Sequence, residues 1–546
     1  MATLFAGEPW NNPWKGVMRP VGEPRVQLVN IFHRAFDNFI ATARTCYSPR
    51  GIVAVEEVSG GPDSEPSELQ KRRERAANLA QSLFKAGHHT TLQHAHVQFA
   101  IEGVSRHFIW SFLHSHPFYN SEQVSQRYVT VKDGAFHVPD TLSTAGRAIY
   151  QACLERQMRD YSELSEMLAP MVASEYFARF RGRQGSKRAA ADIRKRAQEI
   201  ARYVLPVATQ AYLYHTVSII TLLRYYRVAQ EFDTSAEQRR VVRLMVEALL
   251  AHEPDFALIL QEPLPIEETP EYAFFAQAGA HEVDMANAAR VVREFDQSLG
   301  GATSILVDYG THNEEILGAA VREVLGLPAS AMDDATAIEL VLNPARNRLL
   351  GEAMNLATLS KLTRTLFHPR YVFRKKLSHA ADSQDQRHRL TPGSRPILMR
   401  HYSGEPDCIT PPIVLGDEAV ARRYADSLAA TYETINRLLL MDESPEDAAY
   451  LLPNAVAVRF TESADLLNLH HKMAMRLCYN AQEEIWRASL DEARAVTRVN
   501  PLIGRWLLPP CTLRKHAAQK PICPEGDRYC GVPVWRLEMD DYERLI

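Results

Sequence analysis

The chain has 546 residues, too many for one ordinary core, so two or more domains are expected. Hydrophobic residues make up 46% and charged residues 23%, as in an ordinary globular protein, and the net charge of -4 argues against a general nucleic-acid binder without excluding a local basic face. The N-terminal MATLFAGEPWNNPWKG lacks the basic start and apolar core of a signal peptide, no apolar run is long enough to span a membrane, and seven scattered cysteines do not form a disulfide framework, so a soluble protein of a reducing cytoplasm is expected.

In chain order, RVQLVNIF at 25–32 reads as a strand, and SELQKRRERAANLAQSLFKAG at 67–87 as a helix with a Ser cap and a terminal Gly. HVQFAIEGV at 96–104 is a second strand signal. Residues 191–228 carry helical apolar spacing around Pro206, SILVDYG at 304–310 is a third strand signal, and 416–441 is an amphipathic helix. The polar stretches 56–68 and 262–272 read as surface loops.

An internal repeat runs through this order. Residues 26–45 align with 304–323, SQRYV at 125–129 with DQRHR at 385–389, and 201–223 with 448–470, each ending in Leu-Pro within an expected helix. Three pairs in the same order indicate two related α+β domains, at about 20–255 and 300–490, followed by a tail from 500 to 546.

The stretches LVNIFHRAFDNFIATARTCYSP, GHHTTLQHAHVQFAIEGVSR, SQRYV and ARYVLP in the first half, with MRLCYNAQEEI in the second, resemble the flavin-dependent thymidylate synthase family. The resemblance implies a tandem pair of α+β domains, each of helices with a small antiparallel sheet. It also implies C5 methylation or hydroxymethylation of a uracil nucleotide such as dUMP, with FAD, methylenetetrahydrofolate and NADPH. The family's Arg-His-Arg motif, followed by seven or eight residues and a Ser, is altered twice. The first half has His114-Ser115-His116 before Ser125, and the second has Arg374-Lys375-Lys376 before Asp385.

The resemblance assigns nucleotide contacts to Glu122, Ser125, Arg127, Arg202, Arg387 and Arg476, with Ser125 and Arg476 closest to the chemistry. It assigns flavin contacts to His88, His114, Ser115, His116, Arg374, Lys375 and Lys376. Guanidiniums suit a phosphate because their hydrogen bonds are charge-assisted and often bidentate. An arginine beside the uracil carbonyls would stabilise negative charge as C5 becomes nucleophilic. For each arginine the alternative is a salt bridge, and for each histidine a satisfied structural role.

The half carrying Arg202 has Ala229 at the later position, and the half carrying Arg476 has Ala449 at the earlier one. Two readings follow. In one, the halves share a site and a homodimer imitates the family's tetramer. In the other, one half is scaffold. The basic, aromatic stretch 179–202 reads either as a solvated helix face or as a contact for RNA or single-stranded DNA. In the tail, Cys511, His516, Cys523 and Cys530 give a Zn-type ligand set, with an iron–sulfur cluster and free thiols as alternatives.

Overall fold

The computed structural model describes residues 23–60, 64–114, 118–127, 129–131, 134–230, 234–277, 283–544 and 546. They divide into two compact units. Unit 1 takes the described residues of 23–125, 131–140 and 208–281, and unit 2 takes those of 126–130, 141–207 and 282–546. The units therefore do not coincide with the repeats: the first repeat's residues 126–130 and 141–207 belong to the body that holds the second repeat. Among the described residues no helix is long and apolar enough to cross a membrane.

Unit 1 is built on strands β1 (Arg25–Ile31), β2 (His96–Ser105), β3 (Tyr119–Gln123) and β4 (Gln210–Ser218), antiparallel in the order β1-β2-β4-β3. Unit 2 repeats this with β5 (Ser304–Tyr309), β6 (Arg370–Ser378), β7 (Gly393–Ser394) and β8 (Ala457–Asp465), in the order β5-β6-β8-β7. In each unit one sheet face is buried against helices, and it is largely apolar, with Lys375 and Glu462 as exceptions in unit 2. Thus the α+β class and the duplicated architecture expected from the sequence are both present.

The expected helix over 191–228 is instead a helix Lys187–Ala201, a short 3-10 turn, strand β4 and a helix Ile219–Arg227. Pro206 lacks the N–H that a helix interior needs. After it, Ala211, Leu213, His215 and Val217 are buried while Tyr212 and Tyr214 are exposed, the period-two pattern of a strand. The same holds around Pro453, which precedes β8. Neither Leu-Pro pair lies within a helix.

Both Leu-Pro segments lie in unit 2 and bond to each other reciprocally. Val207 N–H donates to the Leu452 carbonyl at 2.8 Å, and Asn454 N–H donates to the Leu205 carbonyl at 2.8 Å. Such reciprocity is the signature of an isologous contact between like surfaces. Around it the helix Thr144–Arg179 packs along Glu418–Leu440. Gln157 Nε2 donates to the Leu451 carbonyl at 3.0 Å, and Ser427 Oγ donates to buried Asp160 at 2.5 Å.

Each sheet also ends on the same clamp. In unit 1 the Ser105 N–H and Oγ donate to the buried Glu237 carboxylate at 2.7 and 2.6 Å. In unit 2 the Ser378 N–H and Oγ donate to buried Glu484 at 2.5 and 2.6 Å. This clamp and the strand register bring equivalent positions into line, and there the two cores diverge. Unit 1 has Ile101, Phe112, His215, Tyr225 and Met245, all buried. Unit 2 has Lys375, Asp385, Glu462, Lys472 and Glu492 at those places, none more than 1% exposed. Lys375 Nζ lies 3.1, 2.9 and 2.7 Å from Asp385, Glu462 and Glu492, and Lys472 Nζ lies 2.7 and 2.5 Å from Asp385 and Glu462. Five side chains that pack in one unit are thus replaced by five ionisable groups in the other.

A buried charge that loses its partner is left uncompensated, at about 3–5 kcal/mol. Lys375→Met should therefore destabilise unit 2 by roughly that amount in denaturant titration. Installing all five unit 1 residues together should recover most of the loss, because a packed apolar replacement of a buried ion cluster is often neutral or stabilising.

The pH dependence has a definite sign. Burial, and then the Asp385 charge, push the Glu462 carboxyl up to about 7 from its ordinary value of 4.5. The folded chain therefore holds a proton there that the unfolded chain releases. This contribution to stability is complete below the unfolded pKa and is lost as pH rises through about 7. Facing Glu462 are Lys375 on β6, Asp385 on the helix His379–Asp385, Lys472 on Leu466–Arg476, Glu492 on Glu483–Val499, and Arg395. Glu462→Gln cannot ionise, so its Tm relative to the wild type should climb from roughly pH 5 to pH 8. A flat difference would remove Glu462 as the titrating group.

Candidate functional site

Unit 2 gathers four of the arginines singled out by the sequence. Arg127 comes from the segment 126–130, and Arg202 from the turn that ends the helix Lys187–Ala201. Arg387 follows the helix His379–Asp385, and Arg476 ends the helix Leu466–Arg476. Two of these belong to the first repeat and two to the second.

Arg127 is the common neighbour. Its Nε donates to Glu199 Oε1 at 2.5 Å and its Nη2 donates to the Asn480 carbonyl at 2.8 Å. Arg202 is buried, and burial lowers its pKa; Glu199 and Tyr203 oppose this, while Arg127 adds to it. Burial brings Arg476 down to about 10, with Asp385 opposing and Arg387 and Arg127 pushing it further down. The guanidiniums are therefore close enough to feel one another. Glu199 answers them: burial raises its carboxyl, but Arg127, Arg196 and Arg202 together hold it at about 2.

A hydrogen-bonded chain fixes the frame between the repeats' contributions. Tyr203 Oη donates to Glu484 Oε2 at 2.5 Å and accepts from Gln482 Nε2 at 2.5 Å. Gln384 Nε2 donates to Gln482 Oε1 at 3.4 Å, and Arg476 Nη2 donates to the Gln384 carbonyl at 2.7 Å. The buried Asn454 amide donates to the Arg202 carbonyl at 3.0 Å and to Gln126 Oε1 at 3.3 Å.

What the frame leaves unsatisfied is informative. Arg202 Nε and Nη2, Arg476 Nε, His388 Nε2 and both polar atoms of the Gln386 amide are buried without a hydrogen-bond partner among the described residues. Each such group costs about 1–3 kcal/mol. Guanidinium donors, an imidazole and an amide left open together are the complement of an oxyanion and a heterocycle edge.

The remaining sequence assignments fall as follows. Ser125 and Glu122 lie in unit 1, half-buried and exposed respectively, with Glu122 on β3. His88 is exposed in unit 1 ahead of a 3-10 turn, and His114 is half-buried, its ring edge-on to Trp110 at 4.7 Å. Ser115 and His116 lie outside the described residues.

The second flavin set needs correction. Arg374, Lys375 and Lys376 form the middle of β6, which matches β2, whereas His114 ends the helix after β2. Their side chains are committed within unit 2. Lys375 is in the buried ion cluster, Arg374 stacks over Phe295 at 4.3 Å, and Lys376 pairs with Asp296 at 2.6 Å. Eight-residue spacing to a Ser or an Asp therefore does not mark equivalent positions.

The pairing of DQRHR with SQRYV fails similarly. DQRHR precedes β7, whereas SQRYV follows β3, and both strands pair with the last long strand of their sheets. Counted from that register, Ser125 and Arg127 correspond to Ile397 and Met399. Arg387 enters the site on its own account.

The Zn assignment in the tail is also corrected. Among the described residues no group of three or more His, Cys, Asp or Glu side chains is placed to hold a metal ion. Cys511 is buried in the unit 2 core, the His516 ring sits edge-on to Trp506 at 5.8 Å, and Cys530 Sγ points at the Val532 carbonyl at 3.6 Å. The tail has an apolar anchor that its polar connectors conceal: Leu507, Cys511, Val534 and Tyr542 all belong to that core. Burial raises the Cys511 thiol to about 11, an inert structural value.

The stretch 179–202 is not a solvated face throughout. Arg183 donates to Tyr176 Oη at 3.0 Å and stacks over Phe180 at 4.1 Å, Arg188 reaches the Asp527 carbonyl, and Arg196 pairs with Glu199 at 2.8 Å. Sequence reasoning missed Glu199, although it stands one helical turn after Arg196, the guanidinium it pairs with on the same helix.

Comparisons with known proteins agree with the duplicated fold. A family profile described as thymidylate synthase complementing protein matches residues 27–255 and 305–502. Flavin-dependent thymidylate synthase of Clostridium tetani is 29% identical over 189 residues, 34% of this chain and 66% of that protein. The enzyme of the same name from Nitratidesulfovibrio vulgaris is 28% identical over 229 residues, 42% of this chain and 82% of that protein. That of Sulfurisphaera tokodaii is 29% identical over 28% of this chain and 59% of that protein. A solved UMP/dUMP methylase from Streptomyces cacaoi aligns over 44% of this chain and 96% of its own, at 19% identity and a TM-score of 0.28.

Glu199 is the counter-charge of this site, and its removal should separate stability from anion affinity. Glu199→Gln should lower Tm, because two paired arginines lose their carboxylate. Added inorganic phosphate should then raise Tm more steeply than it does in the wild type, as measured by thermal shift against phosphate concentration.

Proposed function

We propose a function from one premise: the chain belongs to the thymidylate synthase complementing protein family. In this reading it binds a uracil nucleotide such as dUMP in unit 2 and methylates C5 of the base. One observation carries it: Arg202 and Arg476, one from each repeat, both feel the charge of Arg127 and hold buried donors with no partner among the described residues.

Arg127 and Arg202 take the phosphate. Arg202 brings two open guanidinium nitrogens, and Arg127 is preset by Glu199 and the Asn480 carbonyl. Arg476, with Arg387 beside it, faces the base. A fixed cation at a uracil carbonyl stabilises the enolate-like charge that makes C5 nucleophilic, and it needs no reorganisation as that charge develops. Arg476 is held at the Gln384 carbonyl, so its open Nε has a set direction. His388 stays neutral, its pKa held down by burial and then by the Arg476 and Lys472 charges, and so presents an uncharged imidazole at the same place.

A flavin, FAD, is assigned as the hydride carrier by likeness to relatives named flavin-dependent, and methylenetetrahydrofolate and NADPH are carried over from the sequence resemblance as sources of the one-carbon unit and reducing equivalents. Reduced flavin would supply hydride to the methylene group. The second repeat's Arg374, Lys375 and Lys376 do not fit a flavin, because their charges are already engaged, and no step here passes through it. The chain is assigned a homodimeric state, which light scattering measures.

Arg127→Ala and Arg476→Ala should each weaken dUMP binding by at least about tenfold in calorimetry on the folded variants, the scale of a lost charge-assisted bond, and Arg127→Ala should also lower Tm because Glu199 loses a partner. Because both act on one ligand, the double variant should lose much less methyl transfer than the product of the single losses. Unchanged dUMP affinity in both single variants would refute the shared site. Multiplicative losses would assign the two arginines to separate sites.

A further inference from the structure

Not every cation around Glu199 has a task in that scheme. Arg196 Nη1 donates to Glu199 Oε2 at 2.8 Å, opposite the Arg127 bond. Arg544 is buried at 6% exposure, Nε donating to the terminal oxygen of Ile546 at 2.7 Å and Nη2 to the Ala481 carbonyl at 2.6 Å, while Nη1 has no partner among the described residues. Burial depresses the Arg544 pKa, and the charges of Arg196, Arg127 and Arg179 depress it further, opposed by Glu199. Arg179 is lowered in the same way, by burial and then by Arg196. Arg127 and Arg196 thus bond Glu199 directly, Arg544 is supported by its charge, and Arg179 adds a fourth guanidinium beside Arg196.

Beside them lies a cavity of about 180 Å³ lined by Arg127, Arg179, Arg183, Lys195, Arg196 and Tyr479, among others. Of its lining acidic side chains, Glu199 is engaged by Arg127 and Arg196, Asp192 by Tyr176 Oη at 3.0 Å, and Asp527 by Arg188, while the terminal oxygen of Ile546 accepts from Arg179 Nη1 at 3.5 Å and from Arg544 Nε at 2.7 Å. The volume is below the roughly 300–1,000 Å³ of pockets that enclose a drug-sized molecule. It is too small for a nucleoside but suits linked phosphates. Planar guanidinium forks bind phosphate oxygens in pairs, and an anion would relieve the repulsion that burial imposes.

We propose that Arg127, Arg179, Lys195 and Arg196 form a binding site for a pyrophosphate group. The proposal deepens the nucleotide reading, on which it rests for the identity of the ligand but not for the anion site itself. Two molecules carry this chemistry: a uracil nucleoside di- or triphosphate, and a dinucleotide cofactor. The tail beyond the family-matched residues adds Arg528, Tyr529 and Cys530 to the cavity lining, so part of this site comes from outside the matched region.

The test is calorimetry on the full chain with inorganic pyrophosphate, then with dUDP against dUMP and FAD against riboflavin. Pyrophosphate should bind, and Arg179→Ala should weaken it at least about tenfold while changing dUMP affinity less than about twofold. Arg179→Lys should restore part of the loss. Should Arg179→Ala fail to fold, Lys195→Ala, on an exposed position of the same cavity, should weaken pyrophosphate by about threefold. A gain for dUDP over dUMP assigns the group to a nucleotide, and a gain for FAD over riboflavin assigns it to a dinucleotide. No pyrophosphate binding, or wild-type binding in both variants, overturns the proposal. Pyrophosphate binding without dUMP binding leaves the site standing and refutes the uracil reading.

Discussion

Two backbone hydrogen bonds hold the organisation of unit 2 together. Val207 to Leu452 and Asn454 to Leu205 are equivalent bonds with donor and acceptor exchanged between the repeats. They keep the first repeat's residues 141–207 with the second repeat's helices, not with the first repeat's own sheet. A proline in each segment makes this possible. It stops the helix before it and leaves extended backbone whose neighbouring N–H and carbonyl groups must find partners elsewhere. Each segment is the nearest solution for the other. Without that exchange Arg202 would not share a neighbour with Arg476.

The repeats have since diverged in a direction that physics constrains. The Ser–Glu clamp at the end of the second strand is kept in both units, because removing either partner leaves a buried polar group open. The core behind it is not kept. In unit 1, Phe112, His215 and Tyr225 stack within 4.6–5.9 Å of one another. In unit 2 the same positions hold Asp385, Glu462 and Lys472. A cluster of buried ions is seldom a gain in stability over apolar packing. Its retention suits the site it borders: Asp385 is the carboxylate that most supports the charge on Arg476. An apolar core there would leave that arginine more depressed still.

The sequence made the duplication legible because it is written in linear order: strand, helix, strand and Leu-Pro segment recur in both halves. The arginines were legible because a guanidinium is conspicuous and the family resemblance placed them. What was not legible was register. Lys375 and Lys376 look like an exposed basic motif, yet β6 turns alternate side chains inward, and Lys375 faces three carboxylates that lie 10, 87 and 117 positions away in sequence. DQRHR resembles SQRYV letter by letter, but it stands on the other side of an edge strand. The tail failed for a further reason. Its cysteines suggested metal because its connectors are polar, whereas Val534 and Tyr542, widely spaced in sequence, anchor it by burial.

The charge balance around Glu199 connects these strands of evidence. Arginines keep their proton even when buried, so a site that crowds them cannot relax by titration as a lysine or histidine site would. It must recruit counter-charge. Glu199 answers Arg127 and Arg196 directly, the terminal oxygen of Ile546 answers the Arg544 Nε, and the Ala481 carbonyl answers its Nη2. Arginine and lysine side chains still outnumber the acidic groups around the cavity, so the potential of the group remains positive. Inside a protein that potential is screened less than in water. The fold therefore spends stability to hold a field ready for an anion, and the open nitrogens of Arg202 and Arg476 lie within the same field. The electrostatic strain and the unsatisfied donors thus have one physical remedy: a ligand that brings negative charge and acceptors together.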